Sequence, residues 1–371
     1  MRDVTAVFTV NPENPEPGYI KTKTVRKYPV LEPLSEETIW KLLKISPAFL
    51  RRMGRIEAAV SFRGNDVNLN LIYVAVPMTA LEIKSEPDKA FHYLTQVTKY
   101  ACSIDASVIG LGGATATGQL SKKLADKYSH RIAVTSGNGL TGYMAFQGGL
   151  SFAKEVCKTV EGISVAIIGA GGMTGSNIAG LLAQELGPNN TIYLVGRLGG
   201  TDLKPLQAKL AVQTNAQVVI TDIQNSIELS SVVFTVSSSA EALEINPHWF
   251  KSGAVVVDVA RPRDIAQTVA AARNDIYVLD GGVIEWENIT NQTFDFDFPP
   301  KHLFACMAET AVLAIEGRRY GSFSIEDVSC AYLKKIGSLS VAMGMKPSGW
   351  RAFEKPLTQE KIQEITKNVR R

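Results

Sequence analysis

The stretch from Ser164 to Arg197 leaves the least room for alternative folds. Ser164–Ile168 is apolar and short enough for a buried strand, glycines follow at once at 169, 171, 172 and 175, and Ile178, Leu181 and Leu182 then recur at helical spacing. After a Pro188-Asn189-Asn190 break, a second apolar run, Thr191–Val195, ends at Gly196-Arg197. Strand, glycine turn and helix in this order predict a dinucleotide-binding βαβ unit. Gly169 permits a tight turn, Gly171 and Gly172 let backbone approach a pyrophosphate, and Gly175 lets the helix pack on the strand. Met173 and Thr174 open that helix, whose N-terminal N–H groups favour a phosphate. At the end of the second strand, where an acid would hold a ribose 2′-hydroxyl, stands Arg197, which can pair with a 2′-phosphate. The cofactor expected is therefore NADPH. The alternative is a glycine-rich turn that holds no nucleotide, with Arg197 a surface cation.

At 371 residues the chain is long enough for two ordinary domains. Lys+Arg number 39 against Asp+Glu 36, a net charge of +3, which argues against nucleic acid as a partner. Cys102, Cys157, Cys306 and Cys330 lie far apart and form no CxxC pair, so neither a metal site nor a disulfide framework is expected. Near the N-terminus Asp3 and Asn11-Pro12 interrupt any leader-like apolar run, and Asp258 and glycines interrupt the longest apolar candidates elsewhere. These features predict a cytoplasmic protein with no transmembrane segment.

Residues 1–35 are rich in Pro, Glu, Lys and Thr and carry a basic run, Lys21–Lys27, of the kind that is usually a solvated strand edge or arm. A helix near 36–43, a strand at 68–76, a helix at 87–101, a strand at 107–111, a helix near 119–127 and a strand at 131–135 follow. A long helix at 140–160 leads into the glycine unit, and beyond Arg197 come a helix near 203–214 and strands at 217–221, 232–236, 254–259 and 276–279. The fold class expected is α/β: a Rossmann-type doubly wound parallel sheet inserted in a second α/β domain that C-terminal helices complete. The boundaries are 1–140 for a substrate domain, 141–299 for the NADP-binding domain, and 300–371 for the helical remainder of the substrate domain. Helices are expected at 302–316, 324–343 and 359–371.

Cys306 falls in the early turns of a helix that Pro299-Pro300 would open. The positive end of the helix dipole favours a thiolate there. His302, four residues earlier, would share a face with Cys306 on a continuous helix and could activate the thiol or protonate a leaving group. A buried cysteine acting as a small hydrophobe fits the same residues. Asn138, or the N–H groups of Gly137 and Gly139, could cradle an oxyanion or contact a nicotinamide, or could simply form a turn. Ser237, Gly281 and Gly282 follow apolar strands at the sheet edge where ligands bind, as cofactor walls or ordinary turns. Glu309, three residues after Cys306, would oppose thiolate formation and has no catalytic assignment.

Five blocks in one order carry a resemblance: Leu111-Gly-Gly-Ala-Thr115, Thr135-Ser-Gly-Asn138, the turn Gly169–Gly175, Ile276–Glu285, and Phe304-Ala-Cys-Met-Ala-Glu309 running to Glu316-Gly317. From Gly64 to Pro347 the chain resembles the cyanobacterial long-chain acyl-[acyl-carrier-protein] reductases, NADPH enzymes that make fatty aldehydes. The architecture also resembles the shikimate and amino-acid dehydrogenases, which lack this cysteine chemistry. The first resemblance implies that Cys306 is an acylated nucleophile, that residues 1–140 hold the acyl group, and that the partner is an acyl thioester on acyl carrier protein or coenzyme A. An NADP-dependent dehydrogenase of a small hydroxy or amino acid, and a non-catalytic NADPH-binding partner of acyl-carrier machinery, are the alternatives. A homo-oligomer stays open.

Overall fold

The computed structural model describes residues 2–12, 20, 24–26, 28–197, 199–237, 242–294, 296–326 and 328–369. Lys21, Lys23 and Lys27 of the basic run, Ser238 and Ser239 beside Ser237, and Arg370-Arg371 lie outside the described residues. The chain folds as two α/β units. Met1–Asn138, Trp286–Asp327 and Ser338–Met345 form the first, and Gly139–Glu285, Val328–Gly337 and Lys346–Arg371 the second.

In the first unit β1 (Arg2–Val10), β2 (Arg52–Phe62), β3 (Asn65–Ala75), β4 (Val108–Gly110) and β5 (Ala133–Thr135) build a mixed sheet with a short strand at either edge. Its order is Ile289–Gln292, β2, β3, β1, β4, β5, Ser322–Phe323. The antiparallel β2 and β3 meet at Arg63 and Gly64, whose φ values of 51° and 75° suit a two-residue hairpin turn. Between β3 and β4, and parallel to both, runs β1, with Phe8 opposite Tyr73 and Gly110. The sequence assigns no element before the helix near 36–43, and Arg2–Val10 is a central strand. Both of its faces are covered, so its sequence does not alternate, and the polar residues beyond Val10 mask it in any average over the segment.

Side chains of neighbouring strands in register share a face of the sheet. Val7, Val74 and Ile109 face a core shared with Leu94 and Val97 of the helix Pro87–Ser103 and with Leu120 and Leu124 of the helix Gly118–Tyr128. Phe8 and Gly110 face the other way. There lies the helix Ala305–Glu316, apolar on nearly every side, buried from Met307 to Ile315 and closed by Gly317 at φ 92°. It sits directly on the strands because Gly110 has no side chain: a Cβ there would stand 1.9 Å from Thr310 Oγ1 and 2.6 Å from the Phe8 ring.

The second unit is a six-stranded parallel sheet of β6 (Ser164–Ile168), β7 (Thr191–Val195), β8 (Gln217–Ile220), β9 (Val232–Thr235), β10 (Val255–Asp258) and β11 (Tyr277–Asp280). Its order, β11-β10-β9-β6-β7-β8, is the doubly wound Rossmann arrangement that the sequence predicts, and the winding reverses between β6 and β9. Helix Asn138–Cys157 packs against it where Gly149 meets Phe234, a Cβ there falling 2.4 Å from the ring. The C-terminal segments differ from expectation. Residues 328–337 and 346–371 belong to this unit, held by the Trp350 ring 4.7 Å from Phe152 and 5.5 Å from Tyr277 and by Tyr277 bonded to Thr366 at 2.8 Å. No helix among the described residues is long and apolar enough to cross a membrane.

Gly110→Ala should cost about 1–3 kcal/mol of stability, the range for forcing volume into a packed core. Urea titration followed by circular dichroism measures it, and an unchanged midpoint would show that the helix does not lie this close to the sheet.

Candidate active site

Cys306 is the second residue of the helix Ala305–Glu316 and is half-buried. The N-cap is Phe304, whose side chain makes no capping bond, so no side chain competes there for the first-turn dipole. Gly137, at φ 72°, lies against the cysteine: a Cβ at this position would be 2.4 Å from Cys306 Cβ and 2.5 Å from its Cα. Both the left-handed backbone and the absence of a side chain are required of this glycine.

A hydrogen-bonded cluster fixes the surroundings. The buried Glu309 Oε1 accepts from Thr135 Oγ1 and from Ser324 Oγ, each at 2.6 Å. Thr135 Oγ1 accepts in turn from Gly137 N at 3.0 Å. Ser136 Oγ donates to Ser324 O and accepts from Asn138 Nδ2 at 2.8 Å. Asn138 thus joins this cluster one residue from the glycine that touches Cys306. The Gly137 N–H, expected as an oxyanion donor, is instead used by Thr135. Glu309 acts through position: two hydroxyls hold its carboxylate and tie the cysteine helix to the end of β5.

His302 departs from expectation. It lies in a short extended segment, His302–Phe304, because Lys301 at φ 66° turns the chain after the prolines and the helix begins only at Ala305. Its Nδ1 lies 3.0 Å from Pro300 O. The shared helical face that would have set it beside Cys306 does not exist.

In the second unit the glycine turn leaves β6 at the reversal of winding. Gly169 and Ala170 both donate to Val195 O, at 2.9 and 3.0 Å, closing the turn against β7. A Cβ on Gly169, at φ 98°, would lie 2.8 Å from the Val236 carbonyl, and one on Gly175 would lie 2.3 Å from Gly169 O. Gly171 and Gly172 are exposed, and Gly172 is the N-cap of the helix Met173–Glu185, with Met173 and Thr174 half-buried in its first turn. Arg197, just beyond β7, is exposed and joins no ion pair among the described residues. A bare cradle at a helix N-terminus fits the pyrophosphate of a dinucleotide.

The same sheet edge carries charges that sequence reasoning missed. Asp258, at the end of β10, is fully buried and accepts from Thr235 Oγ1 at 3.0 Å and from Ile265 N at 3.2 Å. Asp280, at the end of β11, pairs with Arg263 at 2.7 Å and accepts from the N–H groups of Phe353 and Glu354, at 3.1 and 2.9 Å. Those two residues form the positive-φ turn of a hairpin, Arg351–Pro356, and Arg263 also bonds Glu354 and stacks on Phe353. Ser237 N and Oγ both donate to Asp264, so Ser237 is committed to this loop. The signal in the sequence was Asp258 closing an otherwise apolar run, with Arg261-Pro-Arg-Asp264 close behind it. Gly281 packs on Val259 and Gly282 on Thr141, and the cleft they line holds about 10 Å³, room for one water. Among the described residues no cluster of His, Cys, Asp or Glu is arranged to hold a metal ion.

Comparison with known proteins places similarity on both units. Residues 151–281, all within the second unit, match the family described as Shikimate / quinate 5-dehydrogenase. The chain is 31% identical over 218 residues to aminotransferase PigE of Serratia sp., covering 58% of this chain and 25% of that protein. It is 27% identical over 224 residues to the long-chain acyl-[acyl-carrier-protein] reductase of Synechococcus elongatus, covering 57% of this chain and 61% of the reductase. The matches thus span a quarter of one curated relative and under two thirds of the other. Among solved structures, shikimate 5-dehydrogenase from Listeria monocytogenes in complex with shikimate and NAD aligns over 90% of this chain and 96% of that one, at 12% identity and a TM-score of 0.36, a likeness that carries no argument.

Burial pushes the Asp264 carboxyl up from 3.8 to about 6, against the two Ser237 donors and with Asp258 nearby. Its folded value exceeds its unfolded one, so the folded state binds the extra proton and loses stability as pH rises from about 4 through about 6. Thermal melts across this window should fall with pH in the native protein and less so in Asp264→Asn. Equal slopes would place the titration elsewhere.

Proposed function

We propose that the chain reduces an acyl thioester to an aldehyde, with NADPH as reductant and Cys306 as nucleophile. The observation that carries the reading is the seat of Cys306: the second position of a buried helix, pressed against a glycine that tolerates no side chain. A purely structural cysteine needs neither the helix start nor the bare neighbour. The likeness to the Synechococcus reductase supports the same reading.

The Cys306 thiolate attacks the thioester carbonyl, and the oxyanion formed collapses as the carbon–sulfur bond to the carrier breaks, so that the carrier leaves as its thiolate and an acyl-cysteine remains. NADPH supplies the hydride to that carbonyl carbon. The oxygen then re-forms its double bond as the carbon–sulfur bond to Cys306 breaks, which releases the aldehyde and restores the thiolate. The turn Gly169–Gly175 binds the pyrophosphate, and Arg197 the 2′-phosphate. The carrier of the acyl group is acyl carrier protein or coenzyme A. The family match over residues 151–281 favours a second reading, an NADP-dependent dehydrogenase of a small hydroxy or amino acid, which needs no thiol.

Cys306→Ala separates the two. Aldehyde formation from acyl-CoA should vanish while NADPH still binds by fluorescence titration, and full turnover in this variant would overturn the thioester reading. Arg197→Ala should weaken NADPH by about 10–100-fold, the worth of a charge-assisted contact, with NADH hardly affected. Equal loss for both cofactors would remove the 2′-phosphate role.

A further inference from the structure

The first unit buries a phenol that the fold does not use. Tyr73 is fully buried on β3, and among the described residues its hydroxyl has no hydrogen-bond partner. An unmatched buried hydroxyl is destabilising, and Phe would fill the same space without that cost.

Its place is specific. In register across the sheet stand Tyr73, Phe8 and Gly110, one row on one face. That face carries the cysteine helix, whose Thr310 covers Gly110 and donates to Cys306 O at 3.3 Å. The Tyr73 ring packs against Phe294 and Phe296, at 6.2 and 5.2 Å, and Phe296 in turn meets Phe304, the N-cap of the helix, at 6.0 Å. A continuous row of rings thus runs from Tyr73 through Phe296 to Phe304 at the end of the helix where Cys306 lies. Burial raises the Tyr73 pKa well above its ordinary value, and charge on the Cys306 sulfur raises it further. Both effects keep the phenol protonated.

We infer that the Tyr73 hydroxyl is the hydrogen-bond donor to the carbonyl oxygen of the thioester at Cys306, a role that rests on the acyl-thioester reading. Its missing partner is the substrate oxygen. Negative charge develops on that oxygen twice, when the thiolate adds and when hydride adds, and both times the donor strengthens its bond without giving up its proton. Each oxyanion collapses by expelling a thiolate, so proton balance asks nothing of Tyr73. A phenol held in its neutral form suits this task, and the surrounding rings exclude water from it.

Tyr73→Phe tests the inference in single-turnover mixing of the full chain with octanoyl-, dodecanoyl- and hexadecanoyl-CoA and then NADPH. Acylation of Cys306, read by intact mass, and aldehyde release should each slow by about 100-fold, the cost of one oxyanion donor. The melting temperature should hold or rise. Alkylation of Cys306 by iodoacetamide, which builds no oxyanion, should keep its rate. Native rates of acylation and reduction in the variant would overturn the role of Tyr73 alone. Alkylation slowed in parallel with acylation would also overturn it, by showing that the phenol acts on the thiol. No adduct on the native protein with any of these thioesters would overturn the acyl-thioester reading itself, and the role of Tyr73 with it.

Discussion

One buried carboxylate holds the surroundings of Cys306 in place. Glu309 lies in the middle of an otherwise apolar helix, where an ion would be costly, and two hydroxyls from separate segments meet one of its oxygens. Thr135 brings the end of β5, Ser324 brings the chain that follows the helix, and Thr135 passes the constraint to Gly137 through its backbone N–H. Gly137 can then rest on Cys306. The carboxyl group one turn from the thiol thus sets the thiol's geometry through the two hydroxyls it holds.

The second unit repeats the pattern with different groups. Asp258 organises the loop after β10 from within, and Asp280 collects the C-terminal hairpin onto the end of β11. Both acids stand at the carboxyl ends of parallel strands, on the edge from which a Rossmann sheet binds its ligands. Burial raises the Asp258 pKa, and Arg261 and Arg263 oppose that rise. The loops at this edge are therefore built by charge, whereas the strands beneath them are built by apolar packing. Gly169 and Gly175 complete the edge by their lack of side chains.

Legibility followed the physics of each segment. The strands β6, β7 and β9 to β11 were readable because parallel strands covered on both faces are nearly unbroken apolar runs between turns. Burial alone did not secure the same for β1, since Arg2–Val10 runs into a polar stretch that dominates the local composition. The glycine turn was readable because its function is carried by backbone, and glycine is the residue that signals backbone access. Cys306 was placed correctly at the start of a helix, but His302 was not, because a positive φ at Lys301 does not show in residue type. Glu309 was visible as an oddity with no assignable partner. Its two hydroxyls come from positions 174 and 15 residues away in sequence. Tyr73 was invisible for a similar reason: its meaning depends on cross-strand register and on a partner that the chain does not supply.

Preformed, desalted acyl-enzyme mixed once with NADPH carrying deuterium at the transferable position tests the central claim most directly, that hydride from the nucleotide reaches a carbonyl held on Cys306. Mass spectrometry should find an aldehyde with one deuterium on its carbonyl carbon and, in the same sample, an unmodified Cys306. An aldehyde without deuterium, or an acyl group that stays on Cys306 through the mixing, would contradict it.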